Sequence, residues 1–292
     1  MGEVDPAFVQ DAQHRPKLAV IEAEGIPLID LSSANASNHV SQIADACKNW
    51  GFFQVINHGV PSESRRKILD AARKFFALPA EEKRKVSRDE VNPMGYFDIE
   101  HTKNVRDWKE VFDFVVRTPA FGPASDDPDD KELIELTNRW PQYPPELRYK
   151  FHQLRHSHFS ELLGFFYSNW TDLYREICEE YARETEKLAF KLMGLISLSL
   201  GLPENRFNLF FEESTSFVRL NHYPPCPVPH LALGVGRHKD PGALTILGQD
   251  DVGGLEVKRK TDGEWIRVKP TPDAYIINVG DIIQVPPKNF DL

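Results

Sequence analysis

The sequence predicts a chain of mixed α and β structure, with helices in its first two-thirds and a jelly roll or barrel after Ser214. Three observations lead to this prediction. Apolar residues recur with a helical period in residues 40–50, in 62–76 and again in 171–200. Beyond Ser214 the pattern changes to short alternating segments separated by glycine and Asp-Gly turns. A hydrophobic fraction of 41% in 292 residues is enough for a buried core.

The part before Ser214 is predicted to be a layer of helices and short strands. Each predicted helix has an apolar stripe and ends at a glycine or before a proline, because these residues stop helices. In chain order we expect an arm or loose helix (1–24), a strand (26–30), a helix (40–50), a strand (52–57), a helix capped by Ser62 that ends before Pro79, and a long helix (171–200).

The part after Ser214 is predicted to consist of six strands. Thr261, Asp262 and Gly263 separate the third and fourth strands, and Asp-Gly between two alternating segments is a strong hairpin signal. The predicted strands are 217–223, 244–247, 255–259, 265–268, 275–279 and 281–285.

These elements divide the chain into four predicted regions. They are an arm (1–24), a helical and strand domain (25–125), an acidic loop with the long helix (126–213) and a jelly roll (214–292). Residues 149–175 are predicted to be an insertion, because their removal joins the flanking segments into one amphipathic helix. His152 and His156 have a helical spacing that could hold a metal, but no acidic or thiol residue completes such a site, so we expect no function there.

Composition excludes several classes of partner. The formal net charge is -9 and no long basic stretch is present, which argues against nucleic acid and anionic membranes. No apolar run is as long as a membrane span, and the N-terminus lacks the features of a secretory signal. Cys47, Cys178 and Cys226 are too few for a disulfide framework. We therefore expect a cytoplasmic monomer.

His238 and Asp240 form the clearest chemical motif. Residues two apart in an extended segment project from the same face, so an imidazole and a carboxylate could reach one ion. A second histidine from a distant strand would complete the two-histidine, one-carboxylate set that binds iron(II). Alone the motif is weak, and the alternative is a histidine and an aspartate that pair on a loop.

The surrounding residues strengthen this motif. The segments R-L-N-H-Y-P-P-C-P from Arg219, L-A-L-G-V-G-R-H-K-D-P-G from Leu231, and I-N-V-G-D-I-I-Q-V from Ile277 resemble the catalytic half of the plant 2-oxoglutarate- and iron(II)-dependent dioxygenases. I-P-L-I-D-L from Ile26 and W-G-F-F-Q-V-I-N-H-G-V from Trp50 resemble the N-terminal helical domain of the same family. The resemblance implies a double-stranded β-helix, or jelly roll, behind an N-terminal helical layer.

The resemblance also implies roles for individual residues. His238 and Asp240 match the first two iron ligands. Asn221 and Tyr223 match an Asn-x-Tyr element whose tyrosine hydroxyl binds the carboxylate of 2-oxoglutarate. Arg219 lies on the same predicted face and is a candidate substrate contact. For Asn221 and Arg219 plainer alternatives stay open, namely an ordinary strand residue and a surface ion-pair partner.

The activity implied by the family is oxidative. With iron(II), 2-oxoglutarate and O2, and with ascorbate as a possible reductant, such an enzyme hydroxylates or desaturates a small organic molecule of plant secondary metabolism and releases succinate and CO2. The protein contributes orientation and the exclusion of water.

The sequence departs from the family pattern after His238. No further histidine occurs in residues 239–292, and neither Arg259 nor Arg267 matches the Arg-x-Ser pair that the family uses for 2-oxoglutarate. We therefore expect a jelly roll that is incomplete at its C-terminus, weak iron binding and little turnover. Translated intron sequence at 149–175 and 286–292 would explain both departures. The alternatives are a non-catalytic small-molecule-binding paralogue and an unstable splice product.

Overall fold

The computed structural model describes residues 5–16, 21–22, 25–33, 36–124, 127, 129–142, 160–211, 215–240, 242–259, 262–280 and 283, with the backbone alone for 160–170, 209 and 210. The helices in these ranges are α1 (Ala36–Asn49), α2 (Ser62–Phe76), α3 (Ala80–Arg84), α4 (Ser160–Ser199) and α5 (Asn208–Phe211). The strands are β1 (Ile21–Glu22), β2 (Leu28–Asp30), β3 (Phe52–Ile56), β4 (Gly95–Phe97), β5 (His101–Thr102), β6 (Val105–Arg106), β7 (Glu110–Val115), β8 (Ala120–Pro123), β9 (Leu133–Leu136), β10 (Phe217–His222), β11 (Leu244–Leu247), β12 (Glu256–Lys258), β13 (Trp265–Arg267) and β14 (Tyr275–Val279).

The chain forms two compact units, and each unit combines three separate segments. The first unit comprises Met1–Pro16, Pro61–Glu184 and Ser214–Gly236, and the second comprises Lys17–Val60, Thr185–Glu213 and Arg237–Leu292. These contacts group the chain differently from the linear division at residues 24, 125 and 213, which stays a prediction.

The first unit is built on an antiparallel sheet in the order β10-β7-β4. Its core combines apolar side chains of this sheet with the apolar faces of α2 and α4. Phe75 of α2 lies at the centre, 4.7 Å from the ring of Phe112 and 6.2 Å from that of Tyr174. The buried members of this core are Ile68, Ala71, Phe75, Phe76, Leu78, Val86, Tyr96, Phe112, Phe114, Tyr174, Cys178 and Ala182.

The second unit contains a four-stranded sheet in the order β11-β14-β3-β2 and a three-stranded sheet in the order β1-β13-β12. In β14, Tyr275 and Ile277 are fully buried. The β12–β13 pair is the hairpin predicted from the Asp-Gly signal, and Gly263 in its turn has a φ of +75°. Such a positive φ favours glycine because other residues are strained there.

Most predicted elements form, with shifted ends. Pro61, not Ser62, occupies the N-cap position of α2, so that cap prediction is wrong. The 1–24 stretch contains two short 3-10 turns, and its strand β1 pairs in parallel with β13. The predicted strand 281–285 falls almost entirely outside the described residues. Among the helices of the described ranges, none has the length and apolar character that a membrane crossing requires.

Tyr174 bears on the predicted insertion at 149–175. Helix α4 begins at Ser160, so the last part of this segment continues directly into the long helix. The Tyr174 side chain is fully buried in the core of the first unit, where it also lies 6.2 Å from Trp140. This burial counts against an insertion that extends to Arg175. Residues 149–159, with His152 and His156, lie outside the described residues.

Replacing Tyr174 tests its place in this core. Tyr174→Ala is expected to lower the free energy of unfolding by about 3–5 kcal/mol, because removing a buried aromatic ring leaves a cavity. Tyr174→Phe keeps the ring and loses only the hydroxyl that contacts Cys178, so it should cost about 1 kcal/mol. Urea denaturation measures both values. A loss below about 1 kcal/mol for the alanine variant would place the ring outside the core.

Candidate metal centre

His238 and Asp240 lie in the second unit, in an extended segment just before β11. The structure brings their side chains together, with 3.5 Å between His238 Nε2 and Asp240 Oδ1. The His238 side chain is about half exposed and that of Asp240 is largely covered. The two potential donor atoms therefore face each other, as the two-residue spacing predicts.

Two further polar side chains hold the Asp240 carboxylate. Asn278 Nδ2 donates a hydrogen bond to Asp240 Oδ2 over 3.1 Å, and the Thr245 side chain makes a further favourable interaction with this carboxylate. The contact with His238, followed by those with Asn278 and Thr245, lowers the pKa of Asp240 to about 2. The carboxylate is therefore ionised near neutral pH, which is the form that binds a metal.

The donor types and the separation of His238 and Asp240 fit two of the ligand positions around iron(II). Imidazole nitrogen and carboxylate oxygen are the donors found in non-haem iron sites. Adjacent ligands roughly 2.1 Å from an octahedral ion are roughly 3 Å apart, close to the observed 3.5 Å. Asn278 already occupies Oδ2, which leaves Oδ1 facing His238.

A third ligand is not found within the described ranges, where no group of three His, Cys, Asp or Glu side chains is placed to hold a metal. The other two described imidazoles of the second unit contact the backbone. His39 Nε2 lies 2.9 Å from the Asp30 carbonyl. His58 Nε2 lies 3.0 Å from the Asp273 carbonyl, and its Nδ1 accepts a hydrogen bond from the Val60 amide. Both histidines support the fold.

In the first unit, β10 carries the predicted site residues Arg219 and Asn221, and Tyr223 directly follows this strand. Val218 and Leu220 pack against the core, and the His222 ring stacks on Phe76 at 5.1 Å. Since side chains alternate along a strand, Arg219 and Asn221 project from the opposite face. Their shared face agrees with the sequence pattern, whereas the functional roles of Asn221 and Tyr223 stay predictions.

Arg219 is held by two carboxylates of its own unit. Its Nε and Nη2 each donate to the buried Asp113 over 2.8 Å, and its Nη1 lies 3.0 Å from Glu100 Oε1. These contacts favour the ion-pair alternative, and a substrate contact stays a prediction. Three more charged side chains extend the network and balance its charge: Arg88, Lys109 and Asp107.

Removing the Arg219 guanidinium should destabilise the chain. Arg219→Met is expected to lower the free energy of unfolding by about 3 kcal/mol, because it leaves the buried Asp113 without its bidentate partner. Asp113→Asn in the same chain should recover most of this loss, since the uncompensated charge is then gone. Denaturation of both single variants and the double variant gives the coupling energy. Additive losses would contradict the role assigned to this pair.

Tyr223 follows the end of β10 and is half exposed. Its ring packs against Gly234, where an added Cβ would come within 2.7 Å of Tyr223 Cδ1, so only glycine permits this approach. Partial burial, with a smaller contribution from the Asp107 carboxylate, raises the pKa of Tyr223 to about 12. The hydroxyl therefore keeps its proton at neutral pH and can donate a hydrogen bond to a carboxylate.

Sequence reasoning missed Asn278 and Thr245 as contacts of Asp240. Asn278 stands in the I-N-V-G-D segment, and an asparagine in an otherwise apolar strand was a usable signal, because asparagine is disfavoured in strands. It also missed Glu100 and Asp113 as the partners of Arg219, for which no local signal exists.

Two family models match this chain. Residues 26–143 match the N-terminal region described as non-haem dioxygenase in morphine synthesis. Residues 214–291 match the 2OG-Fe(II) oxygenase superfamily, and this second match includes His238 and Asp240.

Individual relatives agree with these matches. The chain is 34% identical to Protein DOWNY MILDEW RESISTANCE 6 of Arabidopsis thaliana, over 95% of this chain and 70% of the relative. It is 38% identical to Gibberellin 20 oxidase 2 of Oryza sativa subsp. indica, over 82% and 53% of the two chains. The chain thus spans between about half and about 70% of the length of these relatives.

A solved structure extends the similarity to three dimensions. The crystal structure of JOX2 in complex with 2OG, Fe and JA matches with a TM-score of 0.73 and 32% identity, over 98% of this chain and 71% of that one. Together with the family matches, it confirms the predicted fold class, a jelly roll with an N-terminal helical layer.

Proposed function

Because the chain belongs to the 2OG-Fe(II) oxygenase superfamily, we propose that it oxidises a small organic plant metabolite with O2 and 2-oxoglutarate and releases succinate and CO2. The outcome for the substrate is hydroxylation or desaturation. The observation that carries this proposal is the His238–Asp240 pair, with 3.5 Å between Nε2 and Oδ1 and a carboxylate fixed from its other oxygen.

The chain's own residues would divide the work as follows. His238 and Asp240 hold the iron(II), which when bound supplies the centre at which O2 and 2-oxoglutarate react. Asp240 stays ionised and oriented by its hydrogen bonds. As the family resemblance implies, Tyr223, protonated at neutral pH, would donate its hydroxyl hydrogen to the co-substrate carboxylate, and Asn221 of β10 would assist as a second polar group.

A second candidate is a non-catalytic protein of the same family that binds a small molecule. One observation favours it, since the described residues bring together two metal-ligating side chains and not three. Residues 239–292 contain no histidine, so a second imidazole, as the third ligand, would have to come from another part of the chain.

Succinate formation separates the two candidates. The purified chain is incubated with iron(II), ascorbate, 2-oxoglutarate and O2, with and without a mixture of plant metabolites, and succinate is measured. The enzyme proposal expects iron-dependent succinate that a chelator abolishes. Saturable binding of a metabolite with no succinate above the chelated control would favour the binding protein instead.

The setting of this activity is also part of the proposal. We expect the chain to act as a cytoplasmic monomer, and its net charge of -9 argues against nucleic-acid and anionic-membrane partners. Size-exclusion chromatography with light scattering and cell fractionation test these expectations. A stable dimer or a membrane-bound fraction would contradict them.

A further inference from the structure

We infer that Asn278 and Thr245 are positioning residues that orient the Asp240 carboxylate for metal binding. This inference rests on the proposed function, because it assumes that Asp240 is a metal ligand. All three residues belong to the second unit.

The sheet register places the two side chains together. Strands β11 and β14 are antiparallel neighbours, and Thr245 is directly opposite Asn278 in their pairing. Directly opposite residues in an antiparallel pair project on the same face with their Cβ atoms roughly 5 Å apart. Asn278 hydrogen-bonds the carboxylate of Asp240, which precedes β11 by only a few residues, and the Thr245 side chain also interacts with this carboxylate.

The identity of residue 278 is unexpected without such a role. Tyr275, Ile276 and Ile277 of β14 are buried and apolar or aromatic, and β-branched or aromatic side chains suit such a strand better than asparagine. The Asn278 amide instead donates to Asp240 Oδ2 over 3.1 Å.

This contact decides which carboxylate oxygen faces the histidine. With Oδ2 held by Asn278, Oδ1 is the oxygen that lies 3.5 Å from His238 Nε2. Thr245 adds a second restraint on the carboxylate. Hydrogen-bond partners of metal ligands orient those ligands, and their loss typically lowers metal affinity about 10–100-fold.

Cobalt(II) binding tests this role without requiring turnover. Affinity is measured by calorimetry and by the visible absorption of bound cobalt(II), using the full 292-residue chain. Asn278→Leu, which keeps the branched shape of the side chain but removes the donor, should bind cobalt(II) about 10–100-fold more weakly. Thr245→Val should weaken binding several-fold, whereas Thr245→Ser, which keeps the hydroxyl, should bind like the parent.

Gln54→Leu is the matched control. Gln54 is a buried amide in β3 of the same sheet, opposite Ile276, and contacts neither His238 nor Asp240 in any described hydrogen bond. Its loss should leave cobalt(II) affinity unchanged.

The outcomes separate this inference from the proposed function. If the parent binds cobalt(II) and both Asn278→Leu and Thr245→Val retain its affinity, the positioning role is wrong while the metal site stands. If the parent binds no cobalt(II), Asp240 is not a metal ligand and both are overturned. Should Asn278→Leu fail to fold, a Thr245→Val variant indistinguishable from Thr245→Ser overturns the inference by itself.

Discussion

Replacing either His238 or Asp240 by alanine is expected to abolish measurable metal binding and iron-dependent succinate formation. Each change removes one of the two donors that converge over 3.5 Å. A single protein ligand holds a hydrated ion poorly, so the affinity should fall by more than the roughly 10–100-fold that loss of an outer partner costs. Calorimetric titration with iron(II) under anaerobic conditions measures this loss.

Two exposed residues provide matched controls for these variants. His230→Ala removes an exposed imidazole and Asp251→Ala an exposed carboxylate, and neither belongs to the candidate site. Both should bind iron(II) like the parent. Asp240→Glu keeps the charge but moves it by one methylene, so it should bind more weakly than the parent and more tightly than Asp240→Ala. Parental affinity in Asp240→Ala would show that the metal, if bound, lies elsewhere.

The sequence predicted correctly those secondary-structure elements whose signal is contained in a few neighbouring residues. The strand that becomes β10 was readable because its alternation is contained in seven residues, and the β12–β13 hairpin because Asp-Gly specifies its own turn. The start of α4 could not be predicted in this way. Thr171 is a good helix start by residue type, but α4 begins at Ser160 and already contains it. Tertiary packing of Tyr174 supports the segment that local reasoning had separated as an insertion.

In the candidate site, too, contacts between neighbouring residues were predictable and contacts between distant residues were not. His238 and Asp240 are two residues apart, so their convergence follows from strand geometry alone. The contact between Asp240 and Asn278 joins residues 38 apart, and it depends on the register of β11 against β14, which no local pattern encodes. Arg219 meets Asp113 across 106 residues and Glu100 across 119. A sequence can suggest that an arginine is available to a substrate, but only the fold shows which carboxylates of the protein are paired with it.

Gly280→Ala is expected to lower the metal affinity of the candidate site, although Gly280 is not itself a proposed ligand. Gly280 directly follows β14 and is buried, and its amide donates to the Ala243 carbonyl over 3.0 Å. A Cβ at this position would overlap the carbonyl oxygen of Gly242 and lie 2.8 Å from its carbonyl carbon. It would also lie 3.1 Å from the backbone carbonyl oxygen of Asp240. These neighbours are backbone atoms, so they cannot rotate away as a side chain would.

The only relief is to displace the segment that carries Asp240 or the end of β14 that carries Asn278. Either movement separates the carboxylate from its hydrogen-bond donor, so cobalt(II) affinity should fall at least about tenfold. The overpacking should also lower the free energy of unfolding by about 1–3 kcal/mol. Gly242→Ala is the matched control, because an added Cβ there meets nothing within 4 Å. This control makes the same glycine-to-alanine change in the other residue of the Gly280–Gly242 contact. Equal cobalt(II) affinities in the two variants would mean that the close approach of Gly280 to the backbones of Asp240 and Gly242 does not set the position of Asp240.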